Sequence, residues 1–324
     1  MKAIVVNRLG GPEVLEFIDA TVPEVQPNEV LIQVKATSVN FADIKARKGN
    51  KGGEVPFIPG IDAAGVVVKV GKKVKQFSVG QRVIAFPDKG SYAEYIVADE
   101  KLTFAIPESI SFEVAAASPI VSFLSYHLIK NIARMVPGES ILIHAAAGEV
   151  GTTAIQFAKA LGAKKIIGTV SDLYKAPIAL EAGADEVISY DDFAKVTNHF
   201  TNGLGVDIIL DSVAGHVTEE SFNCLAPYGR LVQFGNASGE GGNIKTNDLH
   251  SSCRSVLGFS LGTTRKNRPE ILAEIAKDIF QYLEDGLVNV QVSERFHLQD
   301  AMKAHQLMES RKSTGKILLI VETS

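Results

Sequence analysis

The sequence predicts an α/β protein of two domains, a mostly β domain whose chain is interrupted by a doubly wound parallel sheet of six strands. Three observations carry the prediction. The first third is a series of short apolar runs separated by glycine and proline, which is strand-and-turn texture. From Ser140 onward short apolar runs alternate with amphipathic segments, the pattern of βαβ units. After residue 260 the alternation stops, and helical periodicity is followed by one last apolar strand.

In the first third the predicted strands are Lys2 to Val6, Glu29 to Ala36, Ala63 to Val70 and Gln81 to Phe86, suggesting a barrel-like sheet. Near residue 111 the texture becomes helical, with an alanine-rich stretch from Phe112 to Met135 closed by the turn Val136-Pro137-Gly138-Glu139. The six strands of the parallel sheet are placed at Ile141 to His144, Lys165 to Thr169, Glu186 to Ser189, Val206 to Asp211, Arg230 to Phe234 and Ser255 to Phe259. Helices are placed between them at Glu149 to Leu161, Lys175 to Glu181, Phe193 to Phe200 and Val217 to Leu225. The tail holds helices from Pro269 to Asp285 and from Leu298 to Arg311, and the strand Lys316 to Val321, which is expected to return to the first domain and complete its sheet.

Composition bounds the function. A 324-residue chain with 46% hydrophobic residues can bury two cores, and a formal net charge of -4 offers no basic excess for nucleic acid or an anionic membrane surface. The expected partner is a small molecule. The absence of a signal-peptide core or membrane-length apolar run predicts a cytosolic location. With only Cys224 and Cys253, neither a disulfide scaffold nor a four-thiolate zinc site can be assembled, and no two histidines have helical ligand spacing.

The strongest motif is Ile141-Leu142-Ile143-His144-Ala145-Ala146-Ala147-Gly148-Glu149-Val150-Gly151, a strand, a tight turn and the start of a helix. Gly148 and the small Ala146 would let backbone approach a pyrophosphate, and Gly151 would let the helix pack closely on the strand. An acid closing the second strand would hold the ribose 2′-hydroxyl of NAD; here the place is Ser171, with Lys175 one turn on able to meet a 2′-phosphate and Asp172 close by.

These residues resemble the zinc-free quinone oxidoreductases of the medium-chain dehydrogenase/reductase superfamily. AAAGEVG is similar to their A-x-x-G-x-x-G turn, and further matches follow in the family's order at Val39-Asn40-Phe41-Ala42-Asp43, Pro59 to Gly65, Gly90 to Tyr95, Asp211-Ser212-Val213, Phe234 to Gly239 and Glu309-Ser310-Arg311. The resemblance implies a GroES-like catalytic domain over 1–117 and 262–324, and a Rossmann domain over 118–261. It implies NADPH as cofactor, with Ala147, Gly148, Glu149, Val150 and Gly151 at the phosphates. Ser171, Lys175, Tyr190 and Arg311 match positions around the 2′-phosphate, while Phe234, Gly235, Asn236 and the Val256-to-Ser260 stretch, Phe259 included, match positions toward the nicotinamide. Tyr190 could equally close a strand with its ring on the core, and Asn236 could form a turn. A homodimer, through an edge strand such as Ser255 to Phe259, is the family expectation.

Zinc alcohol dehydrogenases of the superfamily carry Cys where this chain has Asn40 and Gly-His-Glu where it has Gly60-Ile61-Asp62. No metal is therefore expected, and hydride transfer to a quinone or other α,β-unsaturated carbonyl needs little help beyond hydrogen-bond donors. The catalytic candidates are Asn40 and Arg47 as donors to the developing anion and Asp43 as an orienting acid; all three could also be cap, turn or surface residues. The chain departs from the family at Lys45, where relatives often have Tyr, at Gly49 to Val55, which lacks the usual aromatic, and at Leu124, where Thr is common. A reductase of enoyl thioesters and a non-catalytic NADPH-binding sensor are the rival readings.

Overall fold

The computed structural model describes residues 1–50, 54–88, 90–310 and 312–322. It divides into two compact units, Met1–Ile120 with Arg265–Glu284 and Val290–Ser324, and Val121–Thr264 with Asp285–Asn289.

The first unit is built on the Glu29–Val39 strand, whose residues 29 to 35 alternate between half-buried and buried before four buried residues in a row, 36 to 39. Ala63–Val70, Tyr95–Asp99 and Lys316–Ile320 all pair with it antiparallel. Arg82–Ala85 and Thr103–Ala105 continue the sheet on one side and Val292–His297 on the other, to seven strands in all. The last apolar stretch thus does join the sheet of the first third, Ile317 facing Val39 and Ile320 facing Ala36. Val30, Ile32, Val34 and Val39 enter one core with Val67, Val83, Ile96, Ile317 and Leu319.

Four strands of this unit escape the sequence pattern: Leu15–Asp19, Tyr95–Asp99, Thr103–Ala105 and Val292–His297. Leu15–Asp19 and Val292–His297 have only one face to cover and carry charged residues outward, so neither has the apolar run that marks a central strand. The helix expected from Phe112 to Met135 is instead broken into Phe112–Ala117, Pro119–His127 and a wide turn over Leu128–Ile132. Pro119 has no N–H to extend the first helix and so opens the second.

The second unit is a six-stranded, wholly parallel sheet in the order Glu186–Ser189, Lys165–Val170, Ser140–Ile143, Val206–Asp211, Leu225–Gln233 and Ser255–Gly258. In chain order these are the third, second, first, fourth, fifth and sixth strands, the doubly wound Rossmann arrangement. The order reverses between Ser140–Ile143 and Val206–Asp211, and ligands of such sheets bind beyond the carboxyl ends at that reversal. Leu142, Ile167, Ile209 and Leu231 from the inner strands pack with Phe193, Phe222 and Leu225 on one face. The short helices Thr246–Ser252 and Leu261–Asn267 are additional to the sequence expectation.

Candidate functional site

In the second unit the first strand ends at Ile143, and the chain turns through Ala145, whose φ of 53 lies in the left-handed region. Three hydrogen bonds hold the bend: Ala145 N–H donates to the Tyr190 hydroxyl at 2.9 Å, Ala146 N–H to Thr169 O at 2.9 Å and Gly148 N–H to Ala145 O at 2.9 Å. The helix Glu149–Ala160 starts on Gly148, which supplies no capping side chain. A Cβ on Gly151 would stand 2.4 Å from Ala145 O and 2.7 Å from Ala146 Cα, so only glycine lets the helix sit this close to the turn. Beneath it, a Cβ on Gly168 would meet Ala146 Cβ at 2.6 Å, so two small residues set the distance between the first two strands' ends. The helix start therefore has an uncapped amide end, with Gly148 exposed, Ala147 half-buried and Glu149 in its first turn.

The other residues expected at the cofactor lie at the same carboxyl edge of the sheet. Ser171 follows the second strand and is exposed. Asp172, which could oppose a phosphate, is engaged locally, its Oδ1 accepting Tyr174 N–H at 3.2 Å. Lys175 is half-buried, with Nζ 5.5 Å from the Tyr174 ring centre. Tyr190 does more than close the third strand: besides holding Ala145, its ring stacks on His144 at 5.7 Å. His144 is buried and bonded through Nδ1 to Thr169 Oγ1 at 2.8 Å and through Nε2 to Ser221 Oγ at 2.9 Å, and burial lowers its pKa to about 4. Phe234 follows the fifth strand, Gly235 lies where a Cβ would meet Ser212 O at 2.8 Å, and Phe259 follows the sixth, its ring 4.8 Å from His127. Asn236 shapes a turn, accepting Gly239 N–H at 2.8 Å. Arg311, and residues 51 to 53 of the loop between Gly49 and Val55, lie outside the described residues.

The catalytic candidates fall in the first unit and belong to one buried network. Asn40 precedes the helix Phe41–Arg47, and its N–H donates to Asp43 Oδ2 at 2.8 Å. Its side-chain amide donates to Ser38 Oγ at 3.0 Å, and its Oδ1 accepts from the buried Lys316 Nζ at 2.8 Å. Asp43 is 1% exposed, and burial, followed by the nearby Asp62 charge, raises its pKa to about 7 against the pull of the Asn40 N–H. Arg47, 0% exposed, donates to Gly10 O at 3.2 Å, His305 Nδ1 at 3.1 Å and Glu309 Oε1 at 2.9 Å. Lys45, at the departure from the family pattern, lies with Nζ 5.3 Å from the Phe41 ring centre.

Sequence reasoning left Tyr92, Asp62, His305 and Lys316 without a role, and all four are in this network. Tyr92 bridges Asp43 Oδ2 at 3.3 Å and His305 Nε2 at 3.1 Å, while Asp62 accepts Ser38 Oγ at 2.8 Å. A signal for His305 was present: it stands four residues before Glu309, on the same face of Ala301–Ser310, and both meet Arg47. Among the described residues, no group of three or more His, Cys, Asp or Glu side chains is arranged to hold a metal ion, and no helix is long and apolar enough to cross a membrane.

Comparison with known proteins places this geometry among relatives. Residues 26–108 match the model of the alcohol dehydrogenase GroES-like domain, and 150–277 that of the zinc-binding dehydrogenases. The chain is 38% identical to quinone oxidoreductase 1 of Escherichia coli K12 over 97% of its own length and 98% of the relative's. Its fold matches the Escherichia coli quinone oxidoreductase solved in complex with NADPH at a TM-score of 0.90, with 36% identity over 99% of this chain and 100% of that one. A solved 2-haloacrylate reductase matches at 0.91, with 31% identity over 100% of both chains.

Proposed function

From the fact that the chain belongs to the quinone oxidoreductase branch of the medium-chain dehydrogenase/reductase superfamily, we propose that it transfers a hydride from NADPH to a quinone or other α,β-unsaturated carbonyl. The observation that carries the reading is the turn from Ala145 to Gly151. It presents an uncapped helix start at the sheet's reversal point, and any side chain at Gly151 would strike backbone.

The residues present fit that cofactor. Gly148 and Gly151 would hold the pyrophosphate against backbone amides, and the absence of an acid at Ser171 leaves the 2′ position open to a phosphate. Lys175 supplies the charge for it, with Asp172 held back by the Tyr174 N–H. Tyr190 fixes the bend by accepting from Ala145. NADPH, when bound, supplies the hydride. In the first unit, Asn40 is held by Ser38 and Lys316, and Asp43 keeps a carboxyl able to carry a proton near neutral pH. Arg47, bonded to Gly10, His305 and Glu309, acts here by bracing the network. A cytosolic homodimer joined through the Ser255–Gly258 edge is the assembly that goes with this reading.

The test is NADPH consumption by the purified chain with para-benzoquinone, phenanthrenequinone, an enone, 2-chloroacrylate and an enoyl thioester. Turnover on the quinones or the enone is expected. Preference for 2-chloroacrylate or the thioester would move the substrate class, and saturable NADPH binding with no turnover on any acceptor would replace the enzyme with a sensor.

A further inference from the structure

The Tyr190 hydroxyl that holds the turn of the second unit is the last member of a longer chain of hydrogen bonds, and each of them has a fixed direction. Ser221 closes the short helix His216–Ser221, and its Oγ lies 2.6 Å from Val217 O. A carbonyl can only accept, so the one Ser221 proton goes there. His144 Nε2, 2.9 Å from Ser221 Oγ, must then be the donor, which leaves Nδ1 bare. Burial keeps the ring neutral, its pKa lowered to about 4. The bare Nδ1 needs a donor, and the Thr169 hydroxyl supplies it at 2.8 Å. With its proton given to His144, Thr169 Oγ1 can only accept from the Tyr190 hydroxyl, to which it is also bonded. The Tyr190 proton is thereby used, and its oxygen meets the Ala145 N–H at 2.9 Å as an acceptor.

Thr169 fixes Ala145 from both sides. Through its hydroxyl and Tyr190 it holds the Ala145 N–H, and its carbonyl accepts the Ala146 N–H at 2.9 Å. The two peptide planes that flank the Ala145 Cα are thus both tied to the end of Lys165–Val170, and the φ of 53, a left-handed value that an alanine side chain disfavours, is set between them. The Ala145 carbonyl then places the rest of the turn: it accepts the Gly148 N–H at 2.9 Å, and it is the atom that a Cβ on Gly151 would meet at 2.4 Å. The inner links are buried, Thr169 and Ser221 at 0% and His144 at 1% exposure, so water does not compete for them. Phe193 keeps the rings aligned, standing edge-on to His144 at 5.1 Å and to Tyr190 at 6.2 Å. All of these residues lie in the second unit.

We propose that His144, Thr169 and Ser221 are positioning residues for the pyrophosphate of the dinucleotide: their directed hydrogen bonds set the turn from Ala145 to Gly151 in its binding shape before the cofactor arrives. The proposal rests on the reading above that this turn holds NADPH. A binding loop already in place loses less freedom when its ligand is taken up, and the affinity rises accordingly. None of the three need touch the cofactor, because their effect reaches it through the Tyr190 hydroxyl and Ala145. A residue that only fills space at position 169 would act through its volume, whereas a link in the chain acts through its hydroxyl. The two roles separate cleanly, since valine keeps the branched shape and loses the hydroxyl, while serine keeps the hydroxyl and loses a methyl group.

The experiment uses the full-length chain and measures, for Thr169→Val and Thr169→Ser, the hydrogen exchange of the Ala145 and Ala146 amides without cofactor and the NADPH affinity by fluorescence titration. Thr169→Val is expected to speed exchange at Ala145 by about tenfold and to weaken NADPH by about tenfold, and Thr169→Ser to keep both within about twofold of wild type. The reverse order, with Thr169→Val near wild type and Thr169→Ser impaired, is what packing alone would produce, and it overturns the proposal. Unchanged exchange at Ala145 in Thr169→Val overturns it too. If Thr169→Val does not fold, Ser221→Ala carries the test from the far end of the chain. It is expected to weaken NADPH by about threefold in the wild-type background and to have no further effect in the Tyr190→Phe background, where the hydroxyl it helps to aim is gone. Losses that simply add in the double variant overturn the positioning role. A wild-type chain that binds neither NADPH nor NADH removes the cofactor reading and the positioning role with it, and exchange in the cofactor-free chain tells that failure apart from a failure of the hydrogen bonds to hold the turn.

Discussion

Replacing Asp43 by Asn tests the electrostatics of the buried network directly. An Asn carbonyl can accept from Asn40 N–H and Tyr92 O–H as Asp43 Oδ2 does, and its amide falls where Oδ1 has no partner, so the variant imitates the protonated acid. In the wild type, burial holds the carboxyl at about 7 rather than at its ordinary value of 3.8. The folded state thus binds this proton more tightly than the unfolded chain does. Its stabilisation is whole below the unfolded value and is lost as pH rises through about 7. Between about pH 5 and about pH 8 the wild type should lose roughly 3 kcal/mol relative to Asp43→Asn, which has no proton to lose there. The assay is urea unfolding at a series of pH values, read by hydrogen exchange in peptides covering Glu29–Val39 and Phe41–Arg47, because the two units need not unfold together. A stability difference between wild type and variant that stays flat over that range would show that the carboxyl titrates like an exposed one, and the argument from burial would fail.

Two further outcomes follow from the same geometry. Lys175→Ala should weaken NADPH by about tenfold while leaving NADH nearly untouched, as expected for loss of one charge-assisted contact to a 2′-phosphate, and equal losses in fluorescence titrations with the two cofactors would remove that role. Lys316→Met takes a cation from beside two buried acids, Asp43 and Asp62, and strips Asn40 Oδ1 of its 2.8 Å donor. It should cost about 3 to 5 kcal/mol at pH 8, and somewhat less when Asp43 is already Asn, Asp62 and Asn40 keeping their share; urea midpoints that move equally in both backgrounds would uncouple Lys316 from Asp43.

What the sequence made legible and what it hid divide along a physical line. The parallel sheet was readable because each inner strand is covered on both faces and is therefore a continuous apolar run, as in Ile141-Leu142-Ile143 or Ile208-Ile209-Leu210. The tight turn from Ala145 to Gly151 was readable because close backbone approach can be met by very few residue types, and Gly151 is where a Cβ would strike backbone. Edge strands such as Leu15–Asp19 answer to no such demand and left no pattern. The buried network was hidden for a further reason. Arg47, Tyr92, His305 and Lys316 are scattered along the chain, and a charged residue read in isolation is expected at the surface. Only pairing makes its burial tolerable, and pairing is a property of the folded sheet, where Lys316–Ile320 lies along Glu29–Val39 and brings Lys316 to Asn40. The candidates Asn40, Asp43 and Arg47 were chosen singly, for the chemistry of each side chain. In the structure they act on one another first, Asn40 N–H on Asp43 Oδ2 and Tyr92 between Asp43 and His305.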